Sequence, residues 1–107
     1  EMYISALIVF LILCREGAFE PQQPPSVEAA EGKEVNLPCN YSLGTSDNLY
    51  WYKQTKESMK FLIQGYKDTK NESHYTLTIA TDRKNSTLTM WDVGLQDTAV
   101  YYCVAAA

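Results

Sequence analysis

Histidine is almost missing: His74 is the only one in 107 residues, and no His, Cys, Asp or Glu stands at metal-ligand spacing from another. A tetrahedral metal site or a nucleophile–base pair therefore has nothing to draw on, and no catalytic residue, metal or cofactor is expected. His74 itself reads as a partly exposed residue at the start of a strand. Basic residues are also in short supply, 9 Lys and Arg against 13 Asp and Glu, for a net charge of −4. With no basic stripe to neutralise phosphates, nucleic acid is not expected as a partner. No apolar run approaches the roughly 20 residues that cross a bilayer. The longest, 4–14, has the length of a secretory h-region instead, and residues 1–18 read as a signal peptide. Its amino-terminal flank lacks Lys and Arg and no clean small-x-small site precedes Glu20, so the cut is placed near Gly17 or Ala18. Cys14 leaves with that peptide, and the mature chain keeps an even pair of cysteines, as suits an oxidising compartment. The remainder, 19–107, is long enough for one domain with one modest core.

What is present is organised around Cys39, Trp51 and Cys103, the last closing the run Asp97-Thr98-Ala99-Val100-Tyr101-Tyr102-Cys103. Two antiparallel sheets packed about 10 Å apart can be tied by a disulfide between mid-strand residues, with a Trp filling the space beside it. The spacing reads as an immunoglobulin-type sandwich pinned across its core. Tyr101, two residues before Cys103, is placed to send its hydroxyl back to the backbone of the preceding turn. Alternation puts Val35, Leu37 and Cys39 inward on one strand, and Leu49 and Trp51 on the next. Leu77 and Ile79, then Leu88 and Met90, and last Ala99, Tyr101 and Cys103 follow the same rule. Val93 and Leu95 are expected to plug one end of this core. Pro21, Pro24 and Pro25 impose an extended lead-in, and 43–48 and 65–70 are polar loops.

The segments Asn36-Leu37-Pro38-Cys39, Trp51-Tyr52-Lys53-Gln54, Asp82-Arg83-Lys84-Asn85-Ser86-Thr87-Leu88 and Asp97 to Cys103 together resemble a T-cell receptor variable segment of the α-chain type. The resemblance covers nearly the whole chain after the leader. It implies an all-β V-type sandwich that lacks strand G, because Phe-Gly-x-Gly does not follow Cys103. The joining and constant segments would then be encoded elsewhere. The edge beside the Cys103 strand is left for that missing strand, and the apolar run 4–14 has no expected counterpart in the sandwich.

The same resemblance implies a function without chemistry: recognition of peptide–MHC as half of an αβ heterodimer on the extracellular face of the plasma membrane, coupled to CD3 signalling subunits through regions absent here. Tyr52, Gln54, Phe61 and Tyr102 would contact the β chain, although Met59 stands where related chains often carry proline. Asp47, Asn48, Tyr66, Lys67 and Asp68 would touch the presenting molecule, and Ala105 and Ala106 would open the third antigen-contact loop. Many such domains pair the residue at Asp97 with an arginine whose place His74 takes here, and Arg83 is not expected to reach it. Asn40, Asn71 and Asn85 head N-x-Ser/Thr sequons, which carry meaning in a chain with a leader. Asn85 is the first choice among them and Asn40, beside the disulfide, the last. A δ-chain or antibody light-chain variable segment is the near alternative. A stand-alone V-type adhesion or inhibitory receptor is the distant one.

Overall fold

The computed structural model describes residues 9–15, 18–19 and 26–107. In chain order these form β1 (Val9–Arg15), β2 (Ala18–Phe19), β3 (Ser26–Val27), β4 (Val35–Cys39), β5 (Asn48–Gln54) and β6 (Met59–Gly65). Then come β7 (Asp68–Glu72), β8 (Tyr75–Ile79), β9 (Ser86–Met90), a single 3₁₀ turn (Leu95–Asp97) and β10 (Ala99–Ala106). Two sheets result, ordered β2-β1-β10-β5-β6, with β3 also paired to β1, and β4-β9-β8-β7.

The inward residues are those that alternation predicts, since a pleated strand turns every second side chain to the same face. Val35, Leu37 and Cys39 of β4 are buried while Asn36 and Pro38 between them are exposed. Leu49 and Trp51, Leu77 and Ile79, Leu88 and Met90, and Tyr101 and Cys103 join them in the core, with Ile63 of β6 and Val93. Pro38 costs one ladder donor, which β4 tolerates because it is an edge strand. Cys39 and Cys103 form a disulfide between β4 and β10, joining the two sheets across 64 residues of chain with their Cα atoms 6.4 Å apart. Trp51 lies opposite Cys103 on the neighbouring strand. Its ring is wholly buried, and its indole nitrogen finds no acceptor among the described residues, although burial of a Trp usually brings one. The Tyr101 hydroxyl donates a 2.6 Å hydrogen bond to the Asp97 carbonyl, which anchors the turn before β10 as expected.

Four features differ from the sequence expectations. First, the apolar run does have a place: β1 lies parallel to β10, from Val9 opposite Ala99 to Arg15 opposite Ala105. An unpaired apolar edge is costly, and this segment of the same chain satisfies its backbone groups. Of the residues assigned to a signal peptide, 1–8, 16 and 17 lie outside the described residues, as do Pro21, Pro24 and Pro25. Second, β7 shortens the 65–70 loop to residues 66 and 67, because Asp68–Glu72 pairs with β8 along its length. Third, Leu95 is 61% exposed on the 3₁₀ turn, so Val93 alone plugs that end of the core. Fourth, β10 continues through Ala105 and Ala106, which pair with Leu49 and Asn48. Gly65 matters to the closure of the sandwich: a Cβ there would meet Leu77 Cδ2 at 2.9 Å, so only glycine lets the end of β6 approach the opposite sheet this closely.

Candidate recognition surfaces

Two surfaces stand out, one on a sheet face and one at the end of the sandwich. The first is the outer face of β10, β5 and β6. Register places Tyr102 opposite Tyr52, and Tyr52 opposite Phe61. Tyr52 and Phe61 meet edge to face with ring centroids 5.7 Å apart. Tyr102 donates a 2.8 Å hydrogen bond from its hydroxyl to Gln54 Oε1, which fixes the carboxamide between two strands. Phe61 is 54% exposed and Met59 51%, so the structure gathers all four sequence-assigned interface residues, with Met59, into one apolar patch open to solvent. A patch of this kind on a folded domain marks a contact surface.

The second surface is built from two loops and a side chain that sequence reasoning passed over. Arg83, in the turn between β8 and β9, reaches across to both loops. Its Nη1 donates to the Gly44 carbonyl at 2.9 Å, Nη2 to that of Asp47 at 2.6 Å, and Nε to that of Tyr66 at 3.0 Å. The guanidinium lies 3.9 Å from the centre of the Tyr66 ring, a cation–π contact, and the Arg83 carbonyl accepts from Leu43 N–H. Tyr66 returns the link by donating its hydroxyl to the Thr45 carbonyl at 2.7 Å. Within the first loop, Asp47 Oδ2 accepts from Gly44 N–H at 2.8 Å. The guanidinium fork suits this task because its five donors leave in fixed directions. Arg83 holds φ at 58°, a left-handed conformation that a long side chain adopts at a cost of about 1–3 kcal/mol. Strain retained at a residue with this many partners points to a positioning role.

Arg83→Ala is expected to lower stability by about 1.5 kcal/mol, since charge-assisted hydrogen bonds are lost and the left-handed backbone remains. Arg83→Gly should lose less, because glycine adopts that φ freely. Amide hydrogen exchange checks the mechanism. Residues 44–47 and 66 should exchange faster in both variants while the β5 and β9 amides keep their protection.

Of the loop residues assigned to antigen contact, Tyr66, Lys67 and Asp68 are exposed, and Asp47 and Asn48 are half-buried. Ala105 is wholly buried and Ala106 belongs to the same strand, so both lie on β10 rather than in a loop. His74 and Asp97 do meet, Nε2 to Oδ1 at 3.2 Å, and Arg83 stays with the loops, as the sequence reading expected. Asn40, Asn71 and Asn85 are all exposed. No group of three or more His, Cys, Asp or Glu among the described residues could hold a metal ion.

Residues 22–107 match the family model of the immunoglobulin V-set domain. The human T cell receptor alpha variable 26-1 is 42% identical over 103 residues, covering 94% of this chain and 94% of its own length. The chain is a T-cell receptor α-type variable domain of the V-set family. The human T cell receptor alpha variable 2 is 33% identical, over 95% of this chain and 89% of its own length. The human T cell receptor alpha variable 14/delta variable 4 is 38% identical over 77% of this chain and 75% of its own length. The V-set sandwich of such variable domains is a recognition fold, used without chemistry of its own, in the extracellular part of membrane receptors. On this variable domain the aromatic face and the Arg83-braced loops are its two most distinctive exposed surfaces.

Proposed function

We propose that this chain recognises peptide–MHC as the α-side variable domain of an αβ T-cell receptor. The observation that carries the reading is the exposed Tyr52–Phe61–Tyr102 face with Gln54 at its centre, on a chain whose relatives are α variable domains. This face contacts the variable domain of the β chain. The hydrogen bond from Tyr102 occupies the oxygen of the Gln54 carboxamide and leaves its nitrogen for an acceptor on the partner. Asp47, Asn48, Tyr66, Lys67 and Asp68 meet the presenting molecule, on loops whose shape is set in advance by Arg83 and therefore costs less to order on binding. Residues 1–18 act as the leader, and its removal frees the β10 edge for a strand of the joining segment. The receptor sits at the plasma membrane, facing outward, with CD3 signalling subunits engaged through regions beyond this domain.

Co-expression with a set of β chains, after fusion to α joining and constant segments, tests the reading. Surface display of the pair and staining by peptide–MHC multimers are the expected results. Phe61→Arg should reduce surface pairing about tenfold, because a charge replaces a central aromatic anchor. Display that needs no β chain, or is unmoved by Phe61→Arg, would point away from the heterodimer. The relative named for both alpha and delta use favours a second reading, in which the same domain is joined to a δ constant region. Transcript sequencing through Cys103 decides between the two.

A further inference from the structure

The outer face of the second sheet carries a row of polar side chains in one register, Asn36, Thr89, Thr76 and Asn71, one from each of β4, β9, β8 and β7. Two hydrogen bonds run along it: Thr89 Oγ1 donates to Asn36 Oδ1 at 2.7 Å, and Thr76 Oγ1 donates to Asn71 Oδ1 at 2.7 Å. Trp91 closes the row from the end of β9, its Nε1 donating to Thr76 Oγ1 at 2.9 Å, with 46% of the residue exposed. Asn71 and Trp91 therefore share one hydroxyl and lie less than two hydrogen-bond lengths apart. Asn71 heads the sequon Asn71-Glu72-Ser73 on an exposed edge strand. Its oxygen is engaged by Thr76, and no hydrogen bond among the described residues engages its Nδ2, the atom a glycan would occupy.

We propose that Asn71 carries an N-linked glycan whose first N-acetylhexosamine lies on the Trp91 indole, making Trp91 an intramolecular carbohydrate platform. The proposal rests on the secretory part of the receptor reading. In the attachment step Nδ2 forms a bond to C1 of a lipid-linked oligosaccharide diphosphate. The C1–O bond to the diphosphate breaks, and the amide proton leaves with the diphosphate group. A pyranose has an apolar C–H face that covers an aromatic ring and a rim of hydroxyls that the exposed Asn36 side chain can meet. A large exposed aromatic on a sheet face is otherwise a sticky patch. Asn71 is singled out by the hydroxyl that it shares with the Trp91 indole. This face lies on the sheet opposite to the Tyr52 and Phe61 patch, and the glycan leaves pairing unobstructed.

The test uses the chain completed with joining and constant segments and expressed with its β chain in mammalian cells. Enzymatic glycan release in ¹⁸O-water, followed by peptide mapping, should show Asn71 converted to labelled Asp. After trimming to a single ¹³C-labelled N-acetylglucosamine, its ring and N-acetyl signals should be shifted upfield by the indole. The shift should vanish in Trp91→Ala and persist in Trp91→Phe. Native-state release from wild type should be slower than from Trp91→Ala, by roughly two- to tenfold for an aromatic contact of ordinary strength. Ser73→Ala, which abolishes the sequon and keeps the ring, should leave tryptophan fluorescence more open to acrylamide quenching, a readout that stands if Trp91→Ala does not fold. An unmodified Asn71 in the secreted protein overturns the proposal, as do sugar signals identical in wild type and Trp91→Ala. Surface pairing with the β chain is scored on the same cells, so a failure of the receptor reading is seen separately from a failure of the platform.

Discussion

Replacing Cys39 and Cys103 together by alanine is expected to lower the free energy of unfolding by about 4 kcal/mol, the chain-entropy value for a closed loop of about 65 residues. Domains of this size are stable by only about 5–15 kcal/mol, so the change removes a large share of what holds the fold together. Both cysteines are wholly buried, and the truncated side chains also leave unfilled space beside Trp51. Guanidinium titration of the domain completed by its joining strand should show a lower midpoint. The slope should rise as well, because an uncrosslinked denatured chain expands and exposes more surface. A loss below about 1 kcal/mol would mean that packing of Leu37, Trp51 and Leu88 holds the sheets without the covalent tie. Reduction of the wild-type disulfide should lower the midpoint as well, but by less than the variant, because both sulfur atoms stay in place. That control separates the loss of the crosslink from the loss of the two sulfur atoms.

The core was legible in the sequence because it depends on local alternation. Val35, Leu37 and Cys39 declare their face by spacing alone, and the same rule places Leu49, Trp51, Leu77, Ile79, Leu88, Met90 and Tyr101. Tyr52, Gln54 and Tyr102 were legible for the same reason, being the opposite phase of two strands, whereas Phe61 shares the phase of the buried Ile63 and faces out because the β5–β6 register shifts between Trp51 and Tyr52. Arg83 was not. Its value lies in carbonyls of Gly44 and Asp47, 39 and 36 residues away, and no local pattern announces a side chain that recruits distant backbone. Composition gave no hint either, since Arg83 stands between Asp82 and Lys84 in a charged turn. The strand Asp68–Glu72 was missed because every residue in it is exposed, so it has no apolar alternation to read. Its place is set by the ladder to β8. Ala105 was assigned to a loop because alanine is silent about burial, yet it pairs with Leu49 on β10 and is wholly buried. Thr76 illustrates the same limit. Its role as the shared partner of Asn71 and Trp91 exists only once β7, β8 and β9 lie side by side.

Asp97→Ala should cost about 2 kcal/mol, in the range for leaving a buried donor without its acceptor. The residue is 1% exposed, and its carboxylate is used on both oxygens: Oδ2 accepts from Gly94 N–H at 2.9 Å and Oδ1 faces His74 Nε2 at 3.2 Å. Its carbonyl receives the Tyr101 hydroxyl. Alanine leaves the Gly94 donor buried without an acceptor and loosens the turn that delivers the chain into β10. Asp97→Asn, which keeps an acceptor for Gly94, should cost less than alanine, and thermal unfolding at neutral pH ranks the two. The same knot makes a distinct prediction at high pH. Burial first, then Tyr75 and the Asp97 carboxylate, pushes the Tyr101 hydroxyl far above its ordinary range, and burial with Asp97 raises Tyr75 in the same direction. These tyrosines hold their protons in the folded state after an unfolded chain has released them. Their contribution to stability is therefore complete below about pH 10, the unfolded value, and declines as the pH rises beyond it. Equilibrium unfolding between pH 9 and 11.5 should show that decline, shallower in Tyr101→Phe, which has no proton to lose at that position. A stability curve of equal slope in wild type and Tyr101→Phe would place the alkaline sensitivity elsewhere. It would leave the Tyr101 hydroxyl with its hydrogen bond to Asp97 as its whole contribution, beside the burial of the ring.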